Sequence, residues 1–156
     1  MNQGRRNVLK GTGGASVMAL AMSAGMFGPQ SAWAQSWNKA AFDTKTFNDT
    51  VKAMGGASAA ESKDIAIVSP DIAENGAVVP FSIASKIPKT ESIALLDEKN
   101  PNVLAANFLI PDGTEAGITT RVKMGQTSNV IALVKADGKY YYSSKEVKVT
   151  LGGCGG

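Results

Sequence analysis

From Asp64 onward the chain is cut into short apolar or alternating runs, each closed by turn residues, and that punctuation leaves room for little besides β-structure. Ile65–Val68 ends at Ser69-Pro70, Ala77–Ile87 lies between Asn75-Gly76 and Pro88, and Ser92–Leu96 precedes Asn100-Pro101. Leu104–Ile110 runs into Pro111-Asp112-Gly113, Gly117–Met124 into Gly125, and Asn129–Ala136 into Asp137-Gly138. Lys139–Ser144 and Glu146–Leu151 complete the series. Two runs alternate cleanly: Ile118, Thr120, Val122 and Met124 oppose Thr119, Arg121 and Lys123, while Val147, Val149 and Leu151 oppose Glu146, Lys148 and Thr150. Asp137-Gly138 predicts a two-residue hairpin, because both central positions of such a turn take positive φ. About seven to eight short strands at this spacing predict a mainly β domain, an antiparallel β-sandwich over residues 64–151. With one cysteine in the chain there is no Cys…Trp…Cys core, so the core is expected to be aliphatic.

Upstream, Trp37 to Met54 carries a helical pattern: Phe47, Val51 and Met54 fall at i, i+4 and i+7, and Trp37, Ala40 and Ala41 form an earlier apolar turn. Gly55-Gly56 stops it, as glycine past a helix end commonly does. Ser58-Ala59-Ala60-Glu61 fits a capping box for one more short helix. Residues 35–63 are therefore read as a short N-terminal helical appendage packed on the sandwich.

Residues 1–34 read as an address. Gly4-Arg5-Arg6-Asn7-Val8-Leu9-Lys10 resembles the twin-arginine export motif, with Arg5 and Arg6 adjacent. Gly11 to Phe27 is apolar but diluted by glycine and serine, too weak and too short for a spanning helix of about 20 apolar residues. Ala32-Trp33-Ala34 is an A-x-A site, which places cleavage between Ala34 and Gln35. The pathway moves folded cargo into the bacterial periplasm, so assembly with a partner before export is expected. The leader also explains the charge. It holds three of the 16 basic residues and no acidic one, which leaves 13 basic against 13 acidic in the mature chain. A neutral chain removes the main support for nucleic-acid binding, which needs a net basic face.

Composition removes most catalytic chemistry. Without histidine there is no imidazole base, no Ser-His or Cys-His pair and no imidazole metal site. One cysteine allows neither an internal disulfide nor a multi-cysteine cluster. No cofactor and no metal site are expected, and the chain is not read as an enzyme. Tyr140-Tyr141-Tyr142 reads as strand sequence rather than a base-stacking platform, and Asp97-Glu98 as a solvated turn. Asn48-Asp49-Thr50 matches a glycosylation sequon that means little behind a bacterial leader.

The C-terminus is the informative part. The last strand run stops at Leu151, and the sole cysteine follows in Gly152-Gly153-Cys154-Gly155-Gly156. Glycine carries no side chain and the greatest backbone freedom, so residues 152–156 are expected to form a thin, flexible arm. Leu151 to Cys154 spans roughly 10 Å when extended, enough to carry a thiol into a narrow tunnel in another protein. Lys148 is the nearest cation, and no base or helix N-terminus adjoins the thiol, so an acidity near the free-cysteine value of about 8.5 is expected. Such a thiol suits a substrate handle better than a nucleophilic catalyst.

Val149-Thr150-Leu151-Gly152-Gly153-Cys154-Gly155-Gly156 resembles the signature of the SoxY family, the sulfur carriers of the periplasmic thiosulfate-oxidising system. The helix before Gly55-Gly56 and the stretch Pro70-Asp71-Ile72-Ala73-Glu74-Asn75-Gly76-Ala77-Val78-Val79-Pro80 resemble that family as well. Val8 departs from the phenylalanine common in such leaders. The resemblance implies an immunoglobulin-like antiparallel β-sandwich paired with a SoxZ-like subunit that lacks a leader of its own. It implies Cys154 as the covalent attachment site, on an arm of Gly152, Gly153, Gly155 and Gly156. A haem-containing enzyme would join thiosulfate oxidatively to Cys154 as an S-thiosulfonate. A manganese thiosulfohydrolase would release the sulfonate as sulfate, and a molybdenum–haem sulfane dehydrogenase would oxidise the sulfur left behind.

Three other classes compete. The first is an exported immunoglobulin-like binding or scaffold module whose Cys154 forms only an intermolecular disulfide; deleting residues 152–156 would leave it working. The second, a ubiquitin-like carrier using a C-terminal thiocarboxylate, needs ATP, which is scarce outside the cytoplasm. A metallochaperone would need more than one thiol.

Overall fold

A computed structural model describes residues 38–150. Two short helices, α1 (Lys39–Phe42) and α2 (Phe47–Ala53), precede nine strands. These are β1 (Ala59–Glu61), β2 (Ile65–Val68), β3 (Ile72–Ala73), β4 (Val79–Ser85), β5 (Thr90–Asp97), β6 (Leu104–Leu109), β7 (Gly117–Val122), β8 (Ser128–Ala136) and β9 (Lys139–Val149). One sheet runs β1-β9-β8-β5-β6, with β3 also paired to β9; the other runs β2-β4-β7. The expected mainly β, two-sheet fold with a short helical segment is met, and its long pairings are antiparallel. The two short strands β1 and β3 add parallel pairs along β9.

Period-two patterning sets the inner faces. In β4, Val79, Phe81 and Ile83 point inward while Pro80 and Ala84 face solvent. They meet Ile93, Leu95, Val130, Ala132 and Val134 of the large sheet in a core that is aliphatic, as expected, apart from Phe81. β5 and β8 are buried along nearly their whole length because their other face is covered too. There Ala94, Leu96, Ile131 and Leu133 pack beneath Ala41 and Val51 of the helical segment. Residues 38–150 thus form three layers, helices on sheet on sheet, and each fully buried Leu, Ile, Val or Phe contributes about 1.5–3 kcal/mol.

The helical run breaks where the sequence pattern is continuous. Asn38 caps α1 through its side chain, which accepts from Ala41 N at 3.1 Å. Thr46 then adopts extended backbone and caps α2, its hydroxyl accepting from Asp49 N at 3.1 Å. A second capping residue inside the run ends one helix and starts another, a competition that threonine wins locally. Phe47, Val51 and Met54 do share the covered face of α2, and Gly55 ends it at φ +94.

Three other expectations are corrected. Ala59–Glu61 is not helical but strand β1, pairing in parallel with Tyr140–Tyr142. Ser62-Lys63-Asp64 offers no apolar turn to continue a helix, whereas β9 offers an open edge, and Ser62 N bonds Tyr142 O at 2.9 Å. The final two strand runs are one strand, in unbroken register with β8 from Ala136↔Lys139 to Ser128↔Val147. Asp97 is no solvated turn: it ends β5 at 1% exposure, with Oδ1 accepting from Lys99 N at 3.0 Å and Oδ2 unpartnered among the described residues. The Asp137-Gly138 turn matches its reading, with φ of 49° and 72°.

Candidate functional site

Cys154, Gly152, Gly153, Gly155 and Gly156 lie outside the described residues, as do Arg5, Arg6 and the Ala34–Gln35 cleavage site. The structure gives the platform that precedes residues 152–156 in the chain. β9 enters it from the Asp137-Gly138 hairpin and leaves it at Thr150, four residues before the cysteine.

A regular strand presents its N–H groups alternately to its two neighbours. On one side of the β9 end that neighbour is β3, two residues long: Lys148 N bonds Asp71 O at 2.9 Å and Thr150 N bonds Ala73 O at 3.1 Å. On the other side β8 begins only at Ser128, opposite Val147, so Val149 has no strand partner there. The Thr127 hydroxyl fills that place, accepting from Val149 N at 3.0 Å.

The strap over residues 69–76 is itself tied down from three directions. Lys145, pointing out of β9, donates to Ser69 O at 2.7 Å and pairs with Asp71 Oδ1 at 2.9 Å. The ammonium of Lys145 holds the Asp71 carboxyl below its ordinary range. Asn75 Oδ1 accepts from Ala77 N at 2.9 Å, turning the chain back toward β4. At Gly76 the backbone passes so close that a Cβ would stand 2.4 Å from Met124 O and 2.8 Å from Val149 Cγ1, so only glycine fits. Met124 N returns a bond to Gly76 O at 2.7 Å, joining the strap to the segment after β7. Asn100 holds that segment from below, donating to Lys123 O at 2.8 Å.

This arrangement anchors the end of β9. Among the described residues no group of three or more Cys, Asp or Glu is placed to hold a metal ion. A surface depression of about 320 Å³ on the outer face of β2-β4-β7 is lined by Ala66, Val68, Ser82, Ala84 and Thr119, with Glu115 its charged member. Tyr140–Tyr142 is strand, as read: Tyr140 is buried with its hydroxyl donating to Met54 O at 2.5 Å, and Tyr142 lies 5.1 Å from Phe47 ring to ring.

Sequence reasoning missed Thr127, Asp71, Lys145 and Gly76 as anchors, although Asp71 and Gly76 sit in the stretch that carries the family resemblance. Their partners are distant in the chain, and no spacing rule connects them. The segment Asn75-Gly76 signalled a turn, but not the contact that requires the glycine.

Residues 51–154 match the family model described as Sulfur oxidation protein SoxY, a span that takes in strap, anchors and β9 and ends on the cysteine. The chain is similar to the solved sulfur carrier protein SoxY from Chlorobium limicola f thiosulfatophilum, at 35% identity and TM-score 0.58, over 66% of this chain and 96% of that one. A superoxide reductase (Neelaredoxin) variant from Ignicoccus hospitalis is 17% identical, with TM-score 0.50 over 69% of this chain and 100% of that one, a likeness of fold. No curated protein matches the chain.

Proposed function

We propose, because the chain belongs to the SoxY family of sulfur oxidation proteins, that Cys154 carries thiosulfate-derived sulfur and presents it to a series of partner enzymes. A sulfur carrier is what the family match supports; the adducts, partners and compartment form the finer reading. The observation that carries it is the placement of the sole cysteine, between two pairs of glycines, four residues beyond the anchored Thr150.

The chemistry asks little of this chain. The Cys154 thiolate and the outer sulfur of thiosulfate form an S–S bond, and the two electrons released pass to a haem-containing loading enzyme. At a manganese thiosulfohydrolase water attacks the terminal sulfonate. Its bond to sulfur breaks, sulfate and two protons leave, and a persulfide remains on Cys154. A sulfane dehydrogenase oxidises that sulfur further. Each enzyme brings its own metal and its own base, so a chain without histidine suffices. A SoxZ-like subunit completes the carrier, and twin-arginine export places the assembled pair in the periplasm.

The test is an intact and peptide mass spectrum of the protein from its native periplasm during growth on thiosulfate, with and without reductant. Reductant-labile sulfur adducts on the Cys154 peptide, absent in Cys154→Ser, are the expected result, and their masses separate thiosulfonate from persulfide. A bare thiol throughout growth would overturn the reading and leave the scaffold module standing.

A further inference from the structure

We propose that Asn75-Gly76 is a self-modifying site that the seat of the strap holds silent: seated, Asn75 stays an amide, and unseated, it converts to aspartate and isoaspartate. The site lies in residues 69–76 and their contacts, and it is independent of what Cys154 carries.

Asparagine before glycine is the pair in which this conversion meets least resistance, because glycine has no side chain to shield its own nitrogen. The Gly76 nitrogen, its proton lost to hydroxide, attacks the side-chain carbonyl carbon of Asn75. A C–N bond forms, the side-chain nitrogen leaves as ammonia, and a five-membered succinimide closes. Water opens that ring at either carbonyl. One opening leaves aspartate. The other leaves isoaspartate, in which the backbone runs through the former side chain and is one carbon longer. Water enters and ammonia departs, with no oxidant, metal or second protein involved.

The folded chain exposes the pair and blocks the ring. Asn75 is exposed. Its Oδ1 accepts from Ala77 N at 2.9 Å and its backbone oxygen from Val78 N at 3.4 Å, a four-residue turn with asparagine first. Ring closure has to swing the Asn75–Gly76 peptide plane, which carries that second acceptor. The next plane along is pinned as well, Gly76 O accepting from Met124 N at 2.7 Å. Nor can the Gly76 Cα move aside, since a Cβ there would lie 2.4 Å from Met124 O and 2.8 Å from Val149 Cγ1. The same crowding makes conversion one-way. Isoaspartate adds its extra carbon, and a negative charge beside Glu74, where the strap has least room. A strap so altered no longer delivers the Gly76 carbonyl to Met124 N.

Conversion is read in mildly alkaline buffer as ammonia released and as the amide-to-acid mass change on the peptide holding Asn75. Fragmentation separates isoaspartate from aspartate. Closure breaks two hydrogen bonds, each worth roughly fivefold, so the urea-unfolded chain should convert about 25-fold faster than the native one. Lys145→Met, which releases Ser69 O and Asp71, should speed native conversion roughly threefold to tenfold. Lys135→Met, which breaks the 2.7 Å pair with Glu91 beside the hairpin, should leave it unchanged. Asn75→Ser should abolish both signals. Converted protein, isolated by ion exchange, should show faster amide exchange at Met124 and Lys148 than unconverted protein. Equal rates in the folded and unfolded chains would overturn the proposal, as would conversion in neither. So would a native rate that Lys145→Met leaves unchanged, or that both lysine substitutions raise alike, which would make global unfolding the gate. None of these readouts involves Cys154, so failure here and failure of the carrier reading give different results.

Discussion

The two ends of β9 are built on opposite plans. At its start the strand lies between β8 and β1, with backbone ladders on both sides, and Tyr140 is buried beneath the helices with its hydroxyl on Met54 O. At its finish it lies between a two-residue strand and a threonine hydroxyl, supported by an ion pair whose carboxylate is almost wholly exposed. The first end is redundant: no single bond decides whether it holds. The second is a short series of individually weak bonds, each with one acceptor. The same strand is core element at one end and mooring at the other, so its substitutions should separate cleanly into those that unfold and those that unmoor.

The largest break in that contrast belongs to the core end. Leu133→Ala, beneath the helical segment and opposite Tyr142, should cost about 2–5 kcal/mol in denaturant unfolding. It should leave exchange at Val149 relative to Val147 unchanged. Gly76→Ala comes next, because its Cβ meets a backbone carbonyl that cannot rotate away. A cost of about 1–3 kcal/mol is expected, with the strap amides exchanging faster than the hairpin amides. Tyr140→Phe removes one hydrogen bond and keeps the ring, about 1 kcal/mol in the same unfolding measurement.

The smallest effect is that of acid, and it tests both ends together. Lys145 holds Asp71 below its ordinary value, and Lys135, together with the Gly138 N–H, does the same for Glu91 beside the hairpin. A depressed carboxylate stabilises the folded state above its unfolded pKa and loses that contribution as pH falls through the folded one. Neither pair should therefore respond between pH 7 and 5, and both should release below about pH 4. Carboxyl chemical shifts followed through an acid titration would show it. Exchange at Lys148 should quicken in that acid range, relative to its intrinsic rate, before exchange at Tyr141 does, because the hairpin end has its ladders in reserve.

How much of this was legible follows the range of the forces involved. Alternation fixes the inner face of β7 and of the end of β9, and Asp137-Gly138 fixes the hairpin, because each is decided within a few residues. The break between α1 and α2 was written in Thr46 but masked by apolar spacing that continues across it. β1 was misread because Ser58 to Glu61 satisfies a local helix signal while the deciding partner, Tyr140–Tyr142, is some eighty residues away in a neighbouring strand. Asp97 was misread because burial is not a local property: it pairs with Val130 of β8, and its N–H is held by Val103 O. The sole cysteine was legible from composition alone, and its mooring was not, since Thr127, Asp71 and Lys145 look like ordinary surface residues until the chain is closed around them.

The pairing of Ile72 with Lys148 spans nearly half of the chain. Contacts of such long sequence separation carry a large loop-closure entropy and form late, after local hairpins such as β8–β9 are in place. The seating of the β9 end is thus a record of completion: a chain that has seated its strap has already built its sandwich.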